Sequence, residues 1–488
     1  MNIYLNTHDF EMDVRALLMA FFPGTELVVS VAEEPQGPVD VRVCVDDNKI
    51  YISYRNNMEQ TVWREEPCRY KNRKLRRDQM KQLLYRLLSE CLDRTLPWGT
   101  LTGIRPVKQA RLALEQGVTP EELDQKYGQY YYISPKKRKL MLDIAQTELE
   151  VLKDVPYRDG YSLYAGIPFC PSTCAYCSFT SYPLKVWEKE VDDYVELLCR
   201  EIDETVRLFA DKKLCSVYVG GGTPTTLLPH QLDKLLTKLN EVSYGQPVRE
   251  LTVEAGRPDS ITREKLAVLK EHGVSRISIN PQTMQQKTLD CIGRRHTVGQ
   301  TVEAYELARG LGFDNINMDL IMGLPGETPD DVASTMEQIK KLAPDSLTVH
   351  SLALKRAARL RMFREDYEQY KSVNTQEQLD MVYEYAHDMQ LVPYYLYRQK
   401  NMTGNMENVG FAKRDKIGIY NILIMEEMQT IAAVGAGGST KLVIPEENRI
   451  ERVENVKEVR NYMTRFDEML ERKRSIVNQE RKEQGWKN

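Results

Sequence analysis

Six short apolar runs recur between Ser162 and Leu352, namely SLYAGI, CSVYVG, LTVEA, VSRISIN, INMDLIMG and SLTVHSL, with amphipathic stretches of helical length between them. Runs of that length read as strands covered on both faces, and strands alternating with helices read as repeated βα units that carry a parallel sheet. Strand and helix alternate six times before the regularity decays near Leu354, which suits an open or complete barrel better than a doubly wound sheet. In barrels, chemistry gathers at the C-terminal edge of the strands, so the residues that follow each run are the first candidates for function.

The flanks read differently. DVRVCVDD (Asp40 to Asp47) and KIYISYR (Lys49 to Arg55) alternate as strands across a short turn containing Asp and Asn, a hairpin pattern. A helix is expected from about Asp78 to Leu92, a loop over PWGTLTGIRPVK (Pro97 to Lys108), and helices from about Thr119 towards Leu152. After the repeats come a helix at about Thr375 to Met389, a strand-like VPYYLYR (Val392 to Arg398), a Gly-rich turn and a charged helix from about Val453. The expected division is an α+β domain over 1–155, a barrel over 156–360, and a helical C-terminal region over 361–488 that covers the substrate. A chain of 488 residues exceeds what one core usually organises.

Charge narrows the partners. With 67 Lys and Arg against 71 Asp and Glu, the net charge of -4 gives no global attraction for nucleic acid or an anionic membrane. The opening MNIYLNTHDFEMD is acidic where a secretory signal would be basic, and no apolar stretch is long enough to span a bilayer. A cytoplasmic chain is expected. Nine cysteines in such a chain are no disulfide framework. Six of them, Cys44, Cys68, Cys91, Cys199, Cys215 and Cys291, are scattered and read as small buried hydrophobes.

The other three are clustered. YAGIPFCPSTCAYCSF (Tyr164 to Phe179) sets Cys170, Cys174 and Cys177 in one loop after the first barrel run, with spacing C-x3-C-x2-C. Thiolates are the usual protein ligands of iron-sulfur clusters, and a cubane normally takes four, so three leave one iron open. The competing reading is a zinc knot, which closes its tetrahedron with a fourth Cys or His. None lies in the loop, and Cys215 or His230 would have to supply it from afar. A second motif, GGGTPT (Gly220 to Thr225), ends the second run and is expected to open a helix. Its glycines allow backbone N–H groups to face an anion, with an ordinary tight βα turn as the alternative. Glu254, Gln282, Arg294 and Asp319 fall at or just beyond strand ends, where any one of them could also be an ordinary buried polar residue.

The cysteine loop, with Tyr176 just before its last Cys, resembles the fingerprint of the radical S-adenosylmethionine (SAM) superfamily. The IPFC start is similar to the oxygen-independent coproporphyrinogen III oxidase family. The N-terminal domain, PWGTLTGIRP, SFTSYP and YRQKNMTGNMENVGFAK (Tyr397 to Lys413) resemble that family's HemZ-type branch. The resemblance implies a partial (β/α)6 TIM-type barrel and a 4Fe-4S cluster on Cys170, Cys174 and Cys177, which are the catalytic and metal-binding residues. It also implies SAM held by Tyr164, Tyr176, Gly221, Gly222, Thr223, Glu254, Gln282, Arg294 and Asp319. A low-potential electron donor is an implied partner. The implied reaction converts coproporphyrinogen III into protoporphyrinogen IX through a 5′-deoxyadenosyl radical, removing two propionate carboxyl groups as CO2.

A tetrapyrrole with four propionates needs a broad apolar wall and several cations, and Arg is the natural carboxylate clamp. LKRAARLR (Leu354 to Arg361) offers Lys355, Arg356, Arg359 and Arg361, unless it is only a solvated helix face. Tyr395, Tyr397 and Arg398 form a second candidate wall, with core packing as the alternative for the tyrosines. Two departures from the family pattern stand out: Phe179 occupies the position of the oxidases' fourth cysteine, and Gly166 replaces the His of HIPFC. Related haem chaperones also lack that fourth cysteine, so a haem- or tetrapyrrole-binding protein without decarboxylase activity is the alternative, with radical chemistry on another substrate behind it.

Overall fold

Alternating apolar and polar residues build the first sheet, and near-continuous apolar runs build the second. The computed structural model describes residues 1–483 except 33, 35, 36, 57, 104, 180, 354–357, 363–373, 399–405 and 448. The chain divides into two units, Met1–Gln146 with Arg398–Asn405, and Thr147–Tyr397 with Met406–Asn488. In the first, β1 (Asn2–Leu5), β2 (Val28–Val31), β3 (Val41–Val45), β4 (Lys49–Arg55) and β5 (Thr61–Pro67) lie in the order β2-β1-β3-β4-β5. β1 is parallel to both its neighbours, while β3, β4 and β5 form an antiparallel meander that contains the expected hairpin. Val14, Leu17 and Leu18 of helix Glu11–Phe21 and Met80, Leu84 and Leu88 of helix Arg73–Leu92 share one core with Ile3, Val41, Val43, Ile50 and Ile52. The second helix starts earlier than its apolar pattern because the Asn72 side chain accepts from the Lys74 and Leu75 amides. The loop expected through Lys108 ends sooner, since Pro106 opens a helix to Glu115 at a position where its missing N–H is not needed.

In the second unit β6 (Gly160–Ile167) is followed by two short strands, β7 (Phe169–Cys170) and β8 (Tyr182–Pro183). Then come β9 (Lys213–Gly221), β10 (Glu250–Gly256), β11 (Arg276–Ile279), β12 (Ile316–Met322) and β13 (Ser346–Ser351). β6 and β9 to β13 are parallel neighbours in chain order, joined through helices Val191–Leu208, Pro229–Ser243, Arg263–Glu271, Val298–Gly310 and Pro329–Leu342. This is the six-fold βα pattern of the partial barrel.

The C-terminal region is helical only in part. It adds β14 (Val392–Tyr397), β15 (Asn408–Ala412), β16 (Thr430–Val434), β17 (Ser439–Ile444) and β18 (Arg449–Glu454). The sheet runs β14-β15-β13-β12-β11-β10-β9-β6-β16-β17-β18, and no pairing among the described residues closes it. The charged helix expected from about Val453 begins at Val459, because RIERVE is the mostly solvated edge strand β18.

Register sorts the parallel strands into two faces. Leu163, Val217, Val253, Ile277, Met318 and Leu347 turn one way and are fully buried, as a helix-covered face requires. Tyr164, Tyr218, Glu254, Ser278, Asn317, Asp319 and Thr348 turn the other way. The inner face is therefore polar and aromatic rather than apolar.

Candidate active site

β6 delivers the cysteine loop to the C-terminal edge of the sheet. Cys170 ends β7, and Cys170 and Cys174 are 9% and 8% exposed while Cys177 is half-buried. The loop is held from three directions. The Ala175 amide donates to Ile292 O at 2.9 Å, and Ala175 O accepts from the Leu360 amide at 2.9 Å. Arg257 Nη1 donates to Ser172 O at 2.9 Å and to Ser172 Oγ at 2.8 Å, and stands 3.9 Å from Cys174 Sγ. Arg257 is itself fixed by Asp259, whose carboxylate accepts at 2.9 and 2.6 Å. Sequence reasoning missed Arg257, which lies just after the LTVEA run. The available signal was the Arg-x-Asp spacing directly after a barrel strand.

Burial pushes the Cys170 thiol up, opposed by the Thr223 hydroxyl 3.5 Å away and by the Arg257 charge. Burial also raises Cys177, to about 11, and the other two thiols push in the same direction while Arg294 opposes them. The three sulfurs thus act on one another electrostatically, and binding iron as thiolates would release their protons.

GGGTPT does something other than expected. The amides of Gly222 and Thr223 donate to Ile167 O at 2.7 Å and Phe169 O at 2.8 Å, so they hold the cysteine strand instead of facing an anion. No helix opens there; a short 3-10 turn at Pro224–Thr226 intervenes and the helix begins at Pro229. A Cβ on Gly222 would lie 2.5 Å from Phe169 O and 3.0 Å from Cys170 Sγ, which is why glycine is required. The bare Gly220 likewise leaves room for the Glu254 carboxyl, 3.2 Å from where a Cβ would stand. At Gly166 a Cβ would lie 3.3 Å from Val434 O and 3.4 Å from the Tyr164 ring, so a histidine there would need those neighbours to give by a small fraction of an ångström.

The remaining expected residues fall into two groups. Around the loop, Arg294 Nη1 reaches Tyr176 Oη at 3.5 Å and its buried Nε meets no partner. Gln282 sits just beyond β11 in the left-handed region at φ 68, a conformation costly for a non-glycine residue and often found at working sites. On the inner face, Tyr164 and Tyr218 lie 6.1 Å apart, and Tyr218 Oη donates to Glu254 at 2.5 Å. Burial raises Glu254 to about 7. Asp319 lies in the middle of β12 rather than at its end, accepts from Asn317 Nδ2 at 2.7 Å and has His350 Nε2 at 4.0 Å. His350 was missed because a lone His inside an apolar run carries no pattern.

Of the expected clamp, only Arg359 is described in full. Lys355 and Arg356 lie outside the described residues, as does the side chain of Arg361. Arg359 is exposed, and its neighbour Leu360 packs instead with Ala175, Ile292 and Tyr176. Tyr395 and Tyr397 stack 6.4 Å apart, but Arg398 belongs to the first unit, donating to Leu101 O at 2.8 Å and lying over Trp98. Of the remote zinc candidates, Cys215 accepts from Gln429 at 3.2 Å and His230 pairs with Asp192 at 3.3 Å.

Three thiols in one loop are the donor type of an iron-sulfur cluster, and among the described residues no three His, Cys, Asp or Glu side chains are placed so that they could hold a metal ion. On and just beyond β11, Ser278 Oγ and Asn280 Oδ1, and further along the chain Arg294 Nε and both nitrogens of His296, are buried without hydrogen-bond partners. Such vacancies suit a polar, charged ligand. A parallel βα sheet whose first strand ends in a three-thiol loop defines the class, and residues 164–339 match the Radical SAM superfamily.

The finer comparison spans most of the chain. It is 40% identical over 390 residues to the oxygen-independent coproporphyrinogen-III oxidase-like protein HemZ of Bacillus subtilis (strain 168), covering 79% of this chain and 78% of that protein. The heme chaperone HemW of the same organism is 38% identical over 192 residues, 39% of this chain and 50% of its own. The solved structure of coproporphyrinogen III oxidase (HemN) from Escherichia coli aligns with a TM-score of 0.49 and 24% identity over 67% of this chain and 73% of that one. The chain belongs to the radical SAM superfamily and, within it, to the HemZ-type oxygen-independent coproporphyrinogen-III oxidase-like family. Among the described residues no helix is long and apolar enough to cross a membrane.

Proposed function

We propose that this chain converts coproporphyrinogen III into protoporphyrinogen IX without oxygen, by oxidative decarboxylation of two propionates. The observation that carries the reading is the inner face, polar and rich in tyrosine, whose strand β6 leads into the cysteine loop. Tyr164, Tyr218 and Tyr420 stack at 6.1 and 4.4 Å, and Tyr394, Tyr395 and Tyr397 follow at 4.8 and 6.4 Å. A flexible tetrapyrrole with charged arms matches a wall that offers ring faces and hydroxyls together. Cys170, Cys174 and Cys177 would hold a 4Fe-4S cluster, which with SAM and a low-potential electron donor would supply radical chemistry at the propionate side chains. The chain's own work is positioning. Arg294, Tyr176, Gln282, Glu254 and Asp319 would hold the cofactor, and the tyrosine wall would keep the reacting carbon dry and close.

Phe179 favours a second reading. It is 73% exposed where the oxidases continue with a cysteine, and a haem-binding protein that performs no decarboxylation would not need that sulfur. One experiment separates the two. Chain reconstituted without oxygen and supplied with dithionite, SAM and coproporphyrinogen III should release CO2 and develop protoporphyrin fluorescence. Stoichiometric haem binding with no CO2 would establish the second reading, and neither result would discard both.

A further inference from the structure

Arg276 opens β11 on the inner face, in register with Thr252 and through it with Tyr218 and Tyr164. It is among the largest fully buried side chains, at 2% exposure. Its guanidinium makes a single hydrogen bond, from Nη2 to Ser346 Oγ at 3.3 Å, and its shielded Nε meets no acceptor. Among the described residues no carboxylate comes within ion-pair distance of it. The nearest acids are committed elsewhere: Glu250 accepts from Thr252 Oγ1 at 2.8 Å and the Ile419 amide at 2.6 Å, and Glu254 from Tyr218. Burial raises Glu254 to about 7, so it is not a full counter-charge at neutral pH.

Arginines that brace this fold look different. Arg257 fills its fork with Asp259 and Ser172, and Arg309 is bonded to Tyr305, Phe313 and Asp345. A guanidinium presents five donors and stays charged at any accessible pH, so burying one beside a lone hydroxyl is costly unless an anion joins it. Its surroundings are Tyr218, Tyr394, Tyr395 and the bare backbone of Gly418, whose Cβ would stand 3.6 Å from Arg276 Cζ. They supply aromatic walls and hydroxyls, and Glu250, an acid whose charge is felt there, is already bonded to Thr252 and the Ile419 amide rather than to the guanidinium.

We propose that Arg276 is the cation that receives one carboxylate arm of the tetrapyrrole, deep on the inner face. This rests on the tetrapyrrole reading above. It moves the clamp from the charged run after β13 to a residue hidden inside an apolar run, and it matches the bidentate geometry of guanidinium and carboxylate.

The test is binding to the full chain of coproporphyrin III, the stable oxidised macrocycle with four carboxylates, against its uncharged tetramethyl ester, followed by fluorescence. R276M should weaken the acid about tenfold to a hundredfold, the scale of a lost charged hydrogen-bonded pair, and leave the ester unchanged. The ligand-free R276M chain should melt at the same temperature as wild type or higher, because removing an unpaired buried charge does not destabilise. A structural brace would instead lower it. If R276M does not fold, R276K, which keeps the charge but loses the fork, is judged by the same comparison of acid and ester. Equal affinity of wild type and variant for the acid overturns the inference and leaves the tetrapyrrole reading standing, as does equal weakening of acid and ester. Wild type binding neither macrocycle overturns both.

Discussion

Arg257 shows how much one side chain can hold. It grips Ser172 at the mouth of the cysteine loop, stands beside Cys174 and is braced by Asp259, yet it touches no expected cofactor group. Partners behind a metal ligand commonly change metal affinity by about 10–100-fold. R257Q is therefore expected to hold its cluster about tenfold less tightly than wild type, measured as iron and acid-labile sulfide per chain under chelator challenge. Loss of any one of Cys170, Cys174 or Cys177 should abolish the cluster in the same assay. Retention by R257Q equal to wild type would leave Arg257 with no part in holding the loop. The residue scale is also where reading from sequence reached least far. The three cysteines were legible because their spacing is a pattern in itself. Arg257, Arg276 and His350 were not, because single polar residues inside or just after apolar runs become meaningful only once register brings them together.

At the scale of elements, the six parallel strands were legible because a strand covered on both sides is marked by unbroken short apolar runs. The edge strands were not. β18 is RIERVE, with Arg452 and Glu454 exposed on one face, and reads like a charged helix, and β16 follows helix Ile419–Met425 after only four residues. The joints between elements carry a testable charge. Glu327, on the turn after β12, accepts from Thr283 Oγ1 at 2.5 Å, and Gln285 Nε2 donates to Thr335 Oγ1 at 3.2 Å on helix Pro329–Leu342. Burial raises Glu327 from 4.5 to about 7. The folded chain thus binds this proton more tightly than the unfolded one, so the stability it contributes is complete below about pH 4.5 and is lost as the pH rises through about 7. E327Q should flatten that segment of the curve, gaining up to about 3 kcal/mol relative to wild type at alkaline pH. Urea melts between about pH 5 and about pH 8 will check this, and parallel profiles for the two proteins would refute it.

For the molecule as a whole, a buried charge network ties the last helix to the sheet. Lys473 donates to Glu201 at 2.8 Å, to Thr205 at 3.1 Å and to Ala433 O at 2.8 Å. Glu201 also accepts from the Gly435 amide, Asn455 and Tyr462 at 2.7 to 2.8 Å. Removing one member of such a pair strands the other charge, at about 3–5 kcal/mol. K473M should therefore lower the unfolding midpoint sharply, whereas the double variant E201Q/K473M should recover part of the loss. A double variant less stable than K473M would show that the charges do not act as a pair. The same region fixes an order in time. β6, which leads into the cysteine loop, is flanked on one side by β9 and on the other by β16, made of residues 430–434. Until residues 430–434 have emerged and paired, the strand leading to Cys170 has one border open to water, so the cysteine loop waits for a strand made about 250 residues after it.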